Sequence, residues 1–249
     1  MKKIAVILCG SGSMDGSEIH ESVMTLLAID KAGHQYQIFS PDGPQHHVVN
    51  HITQQETGSQ RNMLEESGRI ARGDVKPLDQ LQLSQFDGVI FPGGFGAAKN
   101  LMTYAFDGVN AKVRDDVAAL IKEAHQAKKP IGALCIAPVL IAKVLKNITV
   151  TIGSDPQTIK NIEQIGAKHV VTKQTEVYSD IDNLVFTTPC YMLPATIKDI
   201  AACADNLLLA MKDYLYIFYA LKDCSCWISG FREVNHREKI SKTTGLSFC

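Results

Sequence analysis

The chain has 249 residues, 45% hydrophobic and 20% charged, with 25 basic against 26 acidic side chains and a formal net charge of −1. That length buries a sizeable core and fits one large α/β domain. A sequence pI of about 6.7 provides no electrostatic footprint for phosphate backbones or anionic lipid, so neither nucleic acid nor a membrane is an expected partner.

The chain opens MKKIAVILCGSGSMDGSEIHE. Its apolar run of about seven residues is shorter than a signal-peptide core or the roughly 20 residues of a membrane span. Ile4 to Cys9 therefore reads as a first strand, and Gly10 to Gly16 as a glycine-rich turn. Ser17 to Lys31 has helical periodicity through Ile19, Val23, Leu26, Leu27 and Ala28, with Gly33 as its stop.

His34 to Ser40 alternates as a second strand. Residues 41 to 85 carry few strong runs and leave room for a short helix and a connection packed near the site. DGVIFPGG is a buried strand entering a glycine loop. Ala111 to Lys128 makes an amphipathic helix, PIGAL a fourth strand, and Ile136 to Leu145 the next helix. Beyond Thr149, TVTIGSD, KHVV, EVYSD and LVFTTPCYM read as short strands, and Pro194 to Lys212 as a closing helix. This β-α alternation predicts a mostly parallel sheet covered by helices on both faces, one domain over residues 1–212. Residues 213–249 shift to aromatics and then charge, and read as a C-terminal extension, partly helical or disordered.

Ligands of such sheets bind at the carboxyl ends of the strands, which singles out residues 9–21, 92–100 and 134–138. Cys135 sits where PIGAL turns into a helix. A side chain on that elbow is pushed out of the sheet, and the following helix N-terminus favours thiolate over thiol; the alternative is a small buried hydrophobe. Glu18 and Glu21 share a face in the first turn of the opening helix, aimed at the same crevice, unless they merely acidify a helix start capped by Ser17 or Asp15. FPGGFGAAKN brings the backbone N–H groups of Gly93 and Gly94 close to a ligand, with Asn100 at its end, as an oxyanion or substrate-binding loop; a plain tight turn is the bland reading. Ile136 adds an N–H beside the thiol. His20, His46 and His47 read as surface groups, and no spacing recommends a metal. Seven cysteines, at positions 9, 135, 190, 203, 224, 226 and 249, lack C-x-x-C pairs and read as reduced thiols of a cytoplasmic protein.

Together the acidic first helix, VVNHIT, RNMLEESGRIARG, PGGFGAAKNL, CIAP and TTPCYML resemble the PfpI/ThiJ branch of the class I glutamine-amidotransferase-like superfamily, and within it the isoprenoid-biosynthesis-associated, ElbB-type glyoxalase group. The resemblance covers roughly residues 1 to 210. It implies a flavodoxin-like, doubly wound sandwich, a homodimer, no metal or other cofactor, and a cysteine–glutamate working pair. Counting back from Gly33, Glu21 falls on the family glutamate, with Glu18 as second choice. The implied activity converts glyoxal-type dicarbonyls to hydroxy acids without glutathione, through a hemithioacetal on Cys135. Because like charges raise each other's pKa, the nearby carboxylate opposes the thiolate and the pair is expected to share a proton, with Glu21 an acid first and a base later. Amidotransferase and protease relatives place a histidine beside or downstream of the cysteine, whereas residue 136 is Ile and the letters HRE occur only at 236–238. The other reading of the same residues is a redox-sensing or metabolite-binding protein without turnover.

Overall fold

The computed structural model describes residues 1–216; most of the expected extension, including the HRE letters, lies outside the described residues. In chain order the elements are β1 (Lys3–Ile7), α1 (Ile19–Lys31), β2 (Gln35–Ser40), β3 (Val49–Asn50), β4 (Gln55–Glu56), α2 (Met63–Ala71), β5 (Val75–Pro77) and β6 (Gly88–Phe91). There follow α3 (Phe95–Lys99), α4 (Tyr104–Asp107), α5 (Asp115–Gln126), β7 (Ile131–Leu134), α6 (Ala137–Leu145), β8 (Thr149–Val150) and α7 (Pro156–Ile165). The described chain closes with β9 (Lys168–His169), β10 (Tyr178–Asp180), β11 (Val185–Thr188) and α8 (Ile197–Met211).

Seven strands form the central sheet in the order β10-β11-β7-β6-β1-β2-β5. All neighbours are parallel except β10 and β11. The continuous apolar runs explain this: β1, β6, β7 and β11 are buried almost throughout, as strands covered by helices on both faces must be. Helix α1 packs on α8, and α5 on α6. The sheet winds outward in both directions from the β1–β6 pair, so the crevice for a ligand opens at the carboxyl ends of those two strands.

The expected α/β sandwich is the observed fold, with shifts at its edges. Helix α1 begins at Ile19 with Glu18 as its N-cap, not Ser17 or Asp15. The Ser17 hydroxyl instead accepts from the Cys9 N–H at 2.9 Å, and an Asp15 oxygen accepts from Val49 N–H at 2.8 Å. Helix α7 was not anticipated, although Asp155 as N-cap, Pro156 at its first position and left-handed Gly166 are ordinary boundary signals. Edge strand β5 ends on Pro77, a place where a missing donor costs no ladder bond. The first residues of the expected extension pack on the domain: Leu215 is buried, and the Tyr214 ring lies 5.3 Å from that of Phe186.

Candidate active site

Three loops meet at the crevice. The β1–α1 turn and the β6–α3 loop are locked by backbone bonds: Glu18 N–H to the Gly93 carbonyl at 2.9 Å, Phe95 N–H to Ser13 at 2.8 Å and Gly96 N–H to Gly16 at 2.9 Å. The glycines of PGGFG are there because no side chain fits. A Cβ on Gly93 would lie 2.4 Å from the Cys135 Cβ and 2.6 Å from a Glu21 oxygen, and one on Gly96 would lie 2.5 Å from the Gly16 carbonyl carbon.

The third loop is the elbow. Cys135 has φ +60°, a left-handed conformation that costs a non-glycine residue about 1–2 kcal/mol. Its N–H is held by the Thr188 carbonyl at 3.0 Å, because β11 runs in register beside β7 with Thr188 opposite Leu134. The turn places the thiol beside the Glu21 carboxyl, both packed against Gly93, with the backbone N–H groups of Gly94 and Ile136 near enough to favour negative charge on the sulfur.

Glu21 is completely buried. One carboxyl oxygen accepts from Gly93 N–H at 3.0 Å, the other more loosely from Tyr191 N–H at 3.4 Å. Burial, then the neighbouring Glu18 charge, pushes its pKa up to about 8. Burial first and Glu21 second push Cys135 well above the ordinary thiol value, outweighing the Gly94 and Ile136 donors. The resting pair at neutral pH is therefore a thiol beside a protonated acid, which corrects the expectation of a thiolate: the helix N-terminus acts on a sulfur that burial and an adjacent carboxyl hold protonated. As a coupled pair, the two lose their first proton together near the Glu21 value.

This geometry also carries a linkage prediction. A carboxyl whose folded pKa exceeds its unfolded value is neutral in both states below the unfolded pKa, and opposes folding increasingly as pH rises through the folded one. With a shift from 4.5 to about 8, Glu21→Gln should leave stability nearly unchanged at pH 4.5 and raise it relative to wild type as pH climbs to 8. Urea titrations across that range check it, and a gain that shrinks with pH would contradict the assigned direction.

A cavity of about 540 Å³ opens onto the sulfur, walled by Phe95, Ala98, Tyr104, Ile136 and Met192, with Glu18, His20 and Tyr191 at its polar side. The expected residues divide. Cys135, Glu21, Gly94 and Ile136 converge on the sulfur. Gly93 N–H is taken by Glu21 and so is not a free oxyanion donor. Glu18 lines the cavity, but one of its oxygens accepts the Glu21 N–H at 2.6 Å as the helix cap. Asn100 does not reach the cavity: its amide donates to the carbonyls of Cys9 at 3.0 Å and Asp15 at 2.8 Å, and its oxygen accepts from His46 N–H. It pins the loops instead.

His20 is exposed, as its reading as a surface group has it, and from there its Nδ1 meets the Tyr191 hydroxyl at 2.8 Å at the edge of the cavity. Tyr191 follows a buried strand, in TTPCYML, so the rule that ligands sit at strand carboxyl ends could have found it. His47 bridges Glu56 at 2.8 Å and Lys99 at 2.9 Å, away from the thiol. The four described cysteines, 9, 135, 190 and 203, are free and buried. Among the described residues no group of three or more His, Cys, Asp or Glu could hold a metal ion, and no helix is long and apolar enough to cross a membrane.

An elbow cysteine paired with a helix-one glutamate, on a mostly parallel sheet flanked by helices, defines the class I glutamine-amidotransferase-like fold. Residues 2–183 match the DJ-1/PfpI family, and the chain belongs to that family. It is 46% identical over 200 residues to the Homo sapiens glutamine amidotransferase-like class 1 domain-containing protein 3, mitochondrial, covering 76% of this chain and 75% of the relative. It is 37% identical over 206 residues to the Danio rerio ES1 protein, mitochondrial, covering 76% of each. A crystal structure of an isoprenoid biosynthesis protein with amidotransferase-like domain from Ehrlichia chaffeensis superposes with a TM-score of 0.81 at 35% identity, over 86% of this chain and 100% of that one. The cytoplasmic expectation does not stand, since the curated relatives are mitochondrial proteins. It rested on cysteines read as reduced thiols together with an apolar run too short for an export signal, and neither feature distinguishes the cytoplasm from an organelle.

Proposed function

We propose that the chain is a glutathione-independent glyoxalase acting on 2-oxoaldehydes by covalent addition to Cys135, in the mitochondrial setting of its relatives. The observation that carries this reading is Cys135 on the wall of a cavity, with the buried Glu21 carboxyl packed beside it against Gly93.

In this reading the sulfur attacks the aldehyde carbon as the pair gives up its thiol proton, and the new alkoxide takes a proton to become a hemithioacetal. The carbon now bonded to sulfur lies within reach of Glu21. The carboxylate removes that carbon's hydrogen to give an enediol and returns the proton to the adjacent carbon, leaving a thioester. Water cleaves the thioester, releasing a 2-hydroxy acid and the free thiol. The Gly94 and Ile136 donors, set where negative charge gathers, assist each addition. The homodimer implied by the family resemblance belongs to this reading, and the exposed apolar stripe Ile19, Val23 and Leu27 on α1 supports it.

The pair must lose one proton before it can act, so kcat/KM for glyoxal should rise with pH and level off above an apparent pKa of about 8. A stopped assay of hydroxy-acid product over pH 6 to 9.5 tests it. No product, or a rate flat through that range, refutes the paired-proton mechanism. A peroxide sensor and a thiol nucleophile both work through the thiolate, so the burial and raised pKa of Cys135 weigh on both readings alike.

A further inference from the structure

Resting on the covalent-addition reading above, we infer that the cavity selects an uncharged 2-oxoaldehyde carrying a hydrophobic body, aryl or branched alkyl, in preference to glyoxal and to carboxylate- or phosphate-bearing aldehydes. The volume of about 540 Å³ lies within the range of about 300–1,000 Å³ typical of pockets that enclose a drug-sized ligand. Glyoxal would leave most of that space and its walls uncovered. Phe95, Ala98, Tyr104, Ile136 and Met192 present carbon surface around the sulfur, which gains free energy only when a substrate body displaces water from it.

Charge makes the second half of the argument. Among the described residues no Lys or Arg lines the cavity. Lys99 is committed elsewhere, donating to the Met14 carbonyl at 2.9 Å and to His47 at 2.9 Å with its ammonium over the outer Phe95 ring. Glu18 is the acid on the wall, so an anionic substrate would give up its hydration to meet a like charge with no counter-ion. A cationic substrate finds one Glu18 oxygen already engaged, since it caps α1 by accepting from Glu21 N–H. The His20 Nδ1 and the Tyr191 hydroxyl are engaged with each other at 2.8 Å. What remains is a site walled mostly by carbon, with Ser13, Glu18 and Thr158 at its polar side and one reactive end.

The test compares kcat/KM of the wild-type chain for phenylglyoxal, glyoxal and para-carboxyphenylglyoxal, each divided by the rate at which the same aldehyde adds to free cysteine. Burying the ring should favour phenylglyoxal over glyoxal by a factor on the order of 10 to 100, and the para-carboxylate should abolish that gain. Glyoxal as the equal or better substrate, or a para-carboxylate that costs nothing, overturns the inference. Binding is read separately from chemistry by methyl NMR: acetophenone should shift the Ile136 and Met192 methyl signals at concentrations where benzoate does not. If no aldehyde is turned over, the glyoxalase reading falls and the methyl shifts alone decide the pocket. Absent shifts, or equal shifts with benzoate, overturn the inference whatever the turnover.

Discussion

Cys135→Ser will lower glyoxal turnover by a factor on the order of 10³ or more while leaving the fold essentially as stable as wild type, because it removes the covalent step and little else. Serine is close in size to cysteine and keeps a polar group beside the Glu21 carboxyl. Its N–H is still held by the Thr188 carbonyl, and its backbone faces the same left-handed φ of +60°. A hydroxyl is far less acidic than a thiol, and the carboxyl beside it is a weak base for so reluctant a proton. No histidine adjoins the elbow to supply the stronger base, for the following residue is Ile136. The Gly94 and Ile136 donors would survive the exchange with nothing to stabilise. Product assayed by chromatography, with thermal unfolding as the control, settles the point: turnover that persists in the variant would assign the loss of glyoxal to surface amines and end the case for a cysteine enzyme.

The elbow was legible because its logic is local. A buried four-residue strand, one thiol and a proline in the first helical turn force the sulfur out of the sheet whatever else surrounds it. The helix period placed Glu18 and Glu21 together on the crevice face, and the family resemblance chose Glu21 between them. The opposition of the carboxyl to a thiolate was legible too, but not that burial of the thiol would outweigh the helix N-terminus, since burial is a property of the assembled fold. Tyr191 reaches the site by a backbone N–H from 170 positions away, a contact to which its side-chain identity contributes nothing. Asn100 shows the converse: its position after the glycine loop suggested a ligand group, but the loops needed a donor for two carbonyls and took it.

These contacts set stability against chemistry at one place. The left-handed Cys135 and the buried Glu21 both oppose folding, by about 1–2 kcal/mol for the strained backbone alone. The surrounding sheet offsets them with strands whose apolar residues, such as Ile90, Phe91, Ile131 and Phe186, are fully buried. A site held in this way cannot relax toward a lower-energy arrangement without breaking the loop bonds that define it. Such over-determination keeps a thiol and a carboxyl in contact despite the cost to each.

Gly93→Ala is the substitution that should break it, costing more than about 3 kcal/mol of stability and essentially all activity. The added methyl would stand 2.4 Å from the Cys135 Cβ, 2.6 Å from the Glu21 carboxyl and 2.9 Å from the Leu134 carbonyl. None of these is the free end of a flexible side chain: two are fixed by the elbow, and the carboxyl is buried. The same residue joins the loops in both directions, accepting from Glu18 N–H and donating to Glu21. Any shift that relieves the methyl therefore moves the acid away from the sulfur. Gly33→Ala provides the contrast, because Gly33 has φ +70° but nothing within 4 Å of its added Cβ. That variant should lose only about 1–2 kcal/mol through backbone strain and keep its activity. Denaturant unfolding of the two proteins separates loss of space from loss of conformational freedom. Equal, small losses would mean that Cys135 and Glu21 do not close on Gly93, and the pairing on which the proposed chemistry depends would go with them.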